Sequence, residues 1–152
     1  MTTLEDDLVR VDRSICPVYP DWVMGAVSSK NEQSGPDQFD PSALKEEYLF
    51  NMQGSGKSAR GYVVHRYLVR QDLIDSCLNL QDLLAIQERG SGFFRKHFFR
   101  KAVIAWKSVV RDRGGAYRVP FLIDGFGMTR IDWDPLREIC YSSRYPVFTF
   151  AS

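Results

Sequence analysis

"FFRKHFFRKAVIAWKSVV", residues 93–110, decides the fold because the periodicity of its apolar residues changes within it. At about 100° per residue, the first half fits a helix capped by Ser91, whereas neither face would be apolar in a strand. The inward arc of that helix holds Phe93, Phe94, His97 and Phe98. After Lys101 the chain turns to β-branched and aromatic residues, "AVIAWKSVV", which are typical of a strand.

The segments after residue 110 continue the extended pattern. "AYRVPFLID" (116–124) alternates, and we expect its edge to be free at Pro120, which lacks a donor. "GFG" (125–127) predicts a turn, "MTRIDW" (128–133) a third strand, a helical turn is expected at Asp134-Pro135, and "PVFTF" (146–150) closes a fourth strand. These segments predict an antiparallel meander.

The segments before residue 93 predict helices after an irregular start. Residues 1–40 contain proline and turn-forming residues, so we expect an extended arm pinned to the body by Tyr19 and Trp22. Asp40 before Pro41 predicts a helix to about Gln53, and a second helix is expected from about Ser58. In a third helix, Asn79 is the expected N-cap, Asp82 lies at the third helical position and Gly90 ends the helix.

Together these patterns predict one α+β domain spanning residues 1–152. In this prediction an extended arm (1–40) and a helical half of about four helices (41–100) pack on a C-terminal antiparallel meander of three to four strands (101–152).

Several classes of protein are disfavoured by the sequence. No apolar run approaches the roughly 18–20 residues of a membrane helix, so we expect no membrane partner. The start "MTTLEDDLVRVD" carries acids where a secretory signal carries cations, which favours a cytoplasmic protein. Cys16, Cys77 and Cys140 are odd in number and far apart, which does not indicate a disulfide framework.

No motif implies a cofactor. "GSGKS" (54–58) resembles a phosphate-binding loop, but Asn51 stands where that loop needs its first glycine, and no buried strand precedes it. We therefore expect a polar turn there, without nucleotide affinity. His65 and His97 are not spaced with cysteines or acids as metal ligands would be.

One group of acids admits a catalytic interpretation. A hairpin could bring Asp124, Asp132 and Asp134 together to hold magnesium for phosphodiester cleavage. The alternative is that they serve as turn, ion-pair and helix-cap residues. An enzyme is thus the third hypothesis, and the sequence favours a protein that works by binding.

The charge is strongly segregated although the net charge is only +1. Residues 1–56 carry four cations against ten acids, and residues 89–118 carry nine cations against Asp112 alone. One interpretation is a basic surface for an acidic partner. The other is that the acidic segment docks on the basic one, so that their fields cancel.

The segment 89–118 is the predicted binding region. Cations interleaved with aromatic residues suit phosphate contacts and base stacking, so the leading hypothesis is nucleic-acid binding. The second hypothesis is a protein-interaction module for an acidic partner. The predicted binding residues are Arg89, Arg95, Lys96, Phe99, Arg100, Lys101, Arg111 and Arg113.

Phe99 does not fit the helical pattern, because it lies on the charged arc near Arg95 and Lys96. Small domains seldom leave a phenylalanine in water. We therefore expect it to be buried against a second element, the arm around Tyr19 and Trp22.

Overall fold

The computed structural model describes residues 7–26, 34–47, 59–137, 140–141 and 145–151. Within these ranges the fold is mixed α+β with three α-helices: α1 (Gly61–Arg70), α2 (Leu80–Glu88) and α3 (Gly90–Phe98). Short 3-10 turns span Pro41–Ala43, Ile74–Ser76 and Trp106–Ser108. No helix in the described ranges has both the length and the apolar character needed to cross a bilayer.

The strands run through the whole described chain. In order they are β1 (Val9–Arg10), β2 (Val23–Ala26), β3 (Gln38–Phe39), β4 (Lys45–Glu47), β5 (Ala59–Arg60), β6 (Val103–Ile104), β7 (Val110–Asp112), β8 (Tyr117–Gly125), β9 (Met128–Pro135), β10 (Cys140–Tyr141) and β11 (Val147–Thr149). The main antiparallel sheet contains β2, β7, β8, β6 and β9, while β1–β3, β4–β11 and β5–β10 form separate antiparallel pairs.

β8 lies at the centre of the sheet and is buried on both faces. Val119 and Phe121 pack in one core cluster with Val64 and Leu68 of α1. Leu122 packs in a second cluster with apolar side chains of α2 and α3. Helices on both faces explain why this strand contains the nearly continuous apolar run "VPFLI".

The pair of helices α2 and α3 follows local sequence rules. Asn79 and Asp82 form the expected capping box, in which each side chain accepts a hydrogen bond from the other residue's backbone N–H. Gly90 has a φ of +88°, which ends α2 and starts α3 in a conformation that favours glycine. In α3, Phe94 and Phe98 are fully buried, as the helical arc predicted. The expected N-cap Ser91 lies inside the helix instead.

The predicted division into a helical half and a sheet half is wrong. β2 joins the main sheet beside β7, with Gly25 opposite Arg111. The predicted helix from Pro41 is a single 3-10 turn in its described part, although Asp40 does cap it through a hydrogen bond from the Ser42 N–H. The chain then enters β4, which pairs with β11. Three helices, not four, occur in the described residues, and 48–58 lie outside them.

The C-terminal meander also needs correction. The predicted strand "AVIAWKSVV" is two short strands, β6 and β7, on one edge of β8. The 3-10 turn between them forms hydrogen bonds with the start of α2: the Lys107 N–H donates to the Leu78 carbonyl, and Ser108 Oγ accepts from the Leu80 N–H. Pro120 is therefore not at a free edge. It faces the gap between β6 and β7, so the absence of a backbone N–H in proline removes no hydrogen bond from the ladder there.

The end of the chain departs from the meander as well. The expected helical turn at Asp134-Pro135 is instead the end of β9, where Asp134 pairs with Val119. β11 is a strand, as "PVFTF" predicted, but its partner is β4.

Candidate functional site

The eight predicted binding residues fall in separate places. Arg95, Phe99, Arg100 and Lys101 line one cleft of about 600 Å³, here called the turn cleft. Its other lining residues include Asp124 at the end of β8 and Tyr145. Four of the eight residues therefore come together, and they mix three cations with an aromatic ring.

The other four predicted residues lie outside this cleft. Lys96 projects from α3 towards Asp7, and Arg89 follows α2, with its guanidinium 4.2 Å from the Phe93 ring centroid. Arg111 lies opposite Tyr117 at the start of β8. Tyr117 and Asp124 are seven residues apart on one strand, which is roughly 23 Å at about 3.3 Å per residue. Arg111 and its neighbour Arg113 therefore belong to another part of the surface.

The turn after α3 gives the cleft its shape. The Lys101 N–H donates to the Phe98 carbonyl at 3.0 Å, which closes a four-residue turn. Phe99 has φ −55° and ψ 123°, and Arg100 has φ +59°. These are the backbone angles of a type II β-turn, whose third position normally holds glycine. Arg100 occupies that position.

The turn also explains why the predicted burial of Phe99 is wrong. Because α3 ends at Phe98, Phe99 leaves the helical surface and is 61% exposed. The Arg100 guanidinium lies over its ring, 5.1 Å from the centroid. Tyr19 and Trp22 do pin the arm as expected, but they pack on Trp133, at centroid distances of 6.0 and 5.4 Å.

Carboxylates around the cleft form ion pairs with two of its three cations. Asp124 accepts from the Ser91 hydroxyl at 2.7 Å and lies 3.5 Å from Arg95 Nε, so it ties α3 to β8. Lys101 Nζ is 2.5 Å from Glu46 Oε1. Arg100 has no carboxylate within ion-pair distance in the described part of the chain. Judged by these described residues alone, it is the cation of the turn cleft that remains available to an anion.

The acidic N-terminal segment covers part of the basic segment. Lys96 Nζ lies 2.8 Å from Asp7 Oδ1, and the hydrogen bond from Lys96 lowers the pKa of Asp7. Glu46, from the same acidic segment, reaches Lys101. Arg95, Lys96 and Arg100 are exposed, while Lys101 is half-buried. Docking between the two segments is thus real but incomplete.

A second cleft, of about 480 Å³, lies near Arg113. Its arginines are already engaged: Arg118 Nε donates to Asp112 at 2.8 Å, and Arg113 donates to the Asp21 carbonyl at 3.1 Å. The Arg118 guanidinium also lies 5.5 Å from the Trp22 ring centroid. Because its cations are engaged within the fold, this cleft is less suited to an anionic ligand.

The three aspartates of the magnesium hypothesis do not meet. Asp124 pairs with Thr129 across the β8–β9 hairpin, and cross-strand partners share a face. Asp132 and Asp134 differ from Thr129 in strand parity, so they lie on the opposite face. The described residues contain no group of three His, Cys, Asp or Glu side chains that could hold a metal ion.

A buried polar cluster underlies α2. Arg13 Nη2 lies 2.7 Å from Asp82 Oδ1, and burial raises the pKa of Asp82 against the opposing effect of Arg13. Lys107 is 5% exposed and donates to the Ser34 hydroxyl at 3.0 Å, and burial lowers its pKa. Burial also raises the pKa of the Cys77 thiol to about 12, so Cys77 is a poor nucleophile.

Sequence reasoning missed two features of the turn cleft. Tyr145 comes from a segment with no recognisable motif, and only the fold brings it there. The positive φ of Arg100 also had no sequence signal, because the turn carries no glycine, asparagine or aspartate. The "GSGKS" segment, for which we expect no nucleotide affinity, lies outside the described residues.

Comparison with protein families, with curated proteins and with solved structures finds no match to this chain. The geometry of the turn cleft is therefore the basis for inferring function.

Proposed function

We propose that the protein binds single-stranded nucleic acid at the turn cleft. Arg95, Arg100 and Lys101 would contact phosphates, and the exposed ring of Phe99 would stack on a base. A positively charged groove combined with an aromatic platform is the common arrangement of proteins that bind single strands without strong sequence preference. In a duplex the base faces are already stacked, so an exposed ring at a cleft favours a single strand.

The observation that carries this proposal is the residue in the glycine position of the turn. Arg100 has a positive φ, a conformation that costs a non-glycine residue about 1–2 kcal/mol. Its side chain is exposed and makes no ion pair with the described residues, so the fold gains little in return. Strain held at an exposed cation beside an exposed aromatic ring supports a role in binding.

The experiment compares Arg100→Gly and Phe99→Ala with the wild type. Glycine fits the turn, so the stability of Arg100→Gly should stay within about 1 kcal/mol of wild type or improve. Affinity is measured by fluorescence anisotropy with a labelled oligothymidine of about 12 nucleotides, across a salt series. Phe99→Ala should weaken binding by about 5- to 150-fold, the effect of removing one stacking platform. Arg100→Gly should lower the salt slope by about 0.7.

Arg66→Ala is the matched control. Arg66 is also an exposed arginine over an aromatic ring, with its guanidinium 5.8 Å from the Tyr62 centroid. It lies on α1, across the sheet from α3, so its loss should leave affinity unchanged. Equal effects of Arg66→Ala and Arg100→Gly would show that only overall charge matters and would overturn the proposal.

An acidic protein partner would use the same cations without needing the aromatic ring. Polyglutamate of similar charge serves as the competitor that separates the two classes. If polyglutamate competes as strongly as oligothymidine and Phe99→Ala loses no affinity, the proposed ligand is an acidic protein and not nucleic acid. A cytoplasmic location belongs to this proposal as well, and microscopy of a fluorescently tagged chain tests it.

A further inference from the structure

The hairpin between β8 and β9 carries an aromatic residue at its tip. Gly125 pairs with Met128, which leaves Phe126-Gly127 as a two-residue turn. Their φ values are +54° and +79°. Positive φ at both central positions defines a type I′ turn, where asparagine, aspartate or glycine normally stands first. Phe126 stands there and is fully exposed, and Met128 beside it is 67% exposed.

Phe126 contributes little to the stability of the fold. Its exposed ring buries no apolar surface, and a bulky side chain at positive φ is an outlier for an L-residue. The turn would form more readily with Asn-Gly, the strongest sequence signal for a short hairpin. An unfavourable backbone conformation held at a protruding aromatic residue points to a role outside the folded chain.

The surroundings of the tip indicate what the ring contacts. Phe126 follows Asp124 by two residues, and Asp124 lines the turn cleft and lies 3.5 Å from Arg95. The tip thus extends beyond the cleft at the end where β8 finishes. A ligand that offers phosphates to the cleft cations and a flat apolar face to the tip is complementary to both features, and a nucleic-acid strand has both.

Resting on the proposed function, we infer that Phe126 is a second stacking residue, which contacts a base of the same strand that occupies the turn cleft. Phe99 and Phe126 would then hold two bases of one strand, with the backbone running past Arg95 and Arg100. Apolar side chains that stack on or insert between bases are frequent in nucleic-acid-binding proteins.

The test is a substitution that improves the turn and removes the ring. Phe126→Asn gives the turn the sequence Asn-Gly, so the melting temperature of this variant should equal or exceed that of the wild type. Its affinity for oligothymidine should fall by about tenfold, within the range for loss of one stacked base. Phe126→Trp retains an aromatic face and should retain affinity. Tyr62→Asn is the control for the loss of an exposed aromatic residue on α1, and it should bind like the wild type.

A base-level readout comes from 2-aminopurine placed at successive positions of the shortest oligothymidine that keeps full affinity, because a strand no longer than the site can bind in only one register. Stacking quenches 2-aminopurine fluorescence, so the wild type should quench it at two positions of the strand. Phe126→Asn should keep the quenching at only one of these positions, and Phe99→Ala should keep it only at the other. If Phe126→Asn binds and quenches like the wild type while Arg100→Gly is impaired, the inference about the tip is wrong and the proposed function stands. If the wild type binds no strand at all, both are wrong. Weaker binding in Phe126→Asn with both quenched positions intact would also overturn the stacking role.

Discussion

Truncation to alanine should reduce the stability of the fold strongly at Phe98 and only slightly at the adjacent Phe99. Phe98 is fully buried, and its ring packs edge-to-face on Phe148 with centroids 5.3 Å apart. Phe98→Ala removes a buried ring and leaves a cavity, which typically costs 3–5 kcal/mol. We expect a loss of about 4 kcal/mol in the free energy of unfolding.

For Phe99 the structure gives a much smaller value. With 61% of the residue exposed, about 80 Å² of an aromatic side chain of roughly 200 Å² is covered. At about 25 cal/mol per Å² this area contributes at most about 2 kcal/mol. Part of the cover comes from the exposed Arg100 side chain, and the alanine Cβ stays covered. We therefore expect Phe99→Ala to lose about 1 kcal/mol.

Urea and thermal denaturation of both variants measure the difference. For a chain of this length, 1 kcal/mol shifts the melting temperature by about 2–4 °C, so the expected shifts are about 8–16 °C for Phe98→Ala and about 2–4 °C for Phe99→Ala. Strand binding should be weakened only in Phe99→Ala, when both variants are assayed below their unfolding transitions. Equal destabilisation would mean that Phe99 is packed within the fold, and the reasoning from the exposed turn would be refuted.

Two further predictions concern the buried cluster and the helical glycines. Because burial lowers the pKa of Lys107 below its usual 10.5, the unfolded chain binds this proton more readily than the folded chain, and stability should rise with pH within the window below 10.5. Lys107→Met should be at least as stable as the wild type at pH 7, and its stability should lack this rise with pH. Urea midpoints of both proteins, measured from neutral to alkaline pH, test this. Midpoints that rise equally in both proteins would contradict the prediction. Gly61→Ala would place a Cβ 2.7 Å from the Leu136 carbonyl oxygen and should lose about 1–3 kcal/mol. Gly92→Ala meets nothing within 4 Å and should gain about 0.5–1 kcal/mol. A melting temperature of Gly61→Ala equal to or above that of the wild type would refute the clash.

The elements that the sequence predicted well are those with strong local signals. The capping box of α2, the apolar arc of α3 and the β8–β9 hairpin depend on neighbouring residues or on regular periodicity. Their boundaries shifted by a few residues, but their type was correct. Local chemistry is sufficient where an element does not depend on a distant partner.

The elements that were mispredicted depend on distant partners. Asp40-Pro41 is a good helix start, yet Lys45 pairs with Thr149 and draws the chain into a strand after one turn. β2 consists of four residues, and its partner β7 is far along the chain. Such short strands have no periodicity to detect, because the pairing that stabilises them is tertiary.

The candidate site divides in the same way. Composition indicated cations and aromatic residues within 89–118, and four of them do share a cleft. The separation of Arg111 and Arg113 from that cleft follows from the length of β8, which sequence distance alone does not reveal. The burial of Phe99 was mispredicted because the helix was extended to Lys101, whereas it ends at Phe98.

The residues at which local rules fail support the proposed binding surface. Among the described residues, three non-glycine positions have positive φ: Asp72, Arg100 and Phe126. Asp72 belongs to a residue type that tolerates this conformation, and it follows α1 on the other side of the sheet. Arg100 and Phe126 do not, and they lie on the turn after α3 and on the hairpin at the end of β8. Because natural sequences depart from local consistency mainly at functional or strained sites, two such exceptions at one end of the molecule support the proposal that one ligand contacts both.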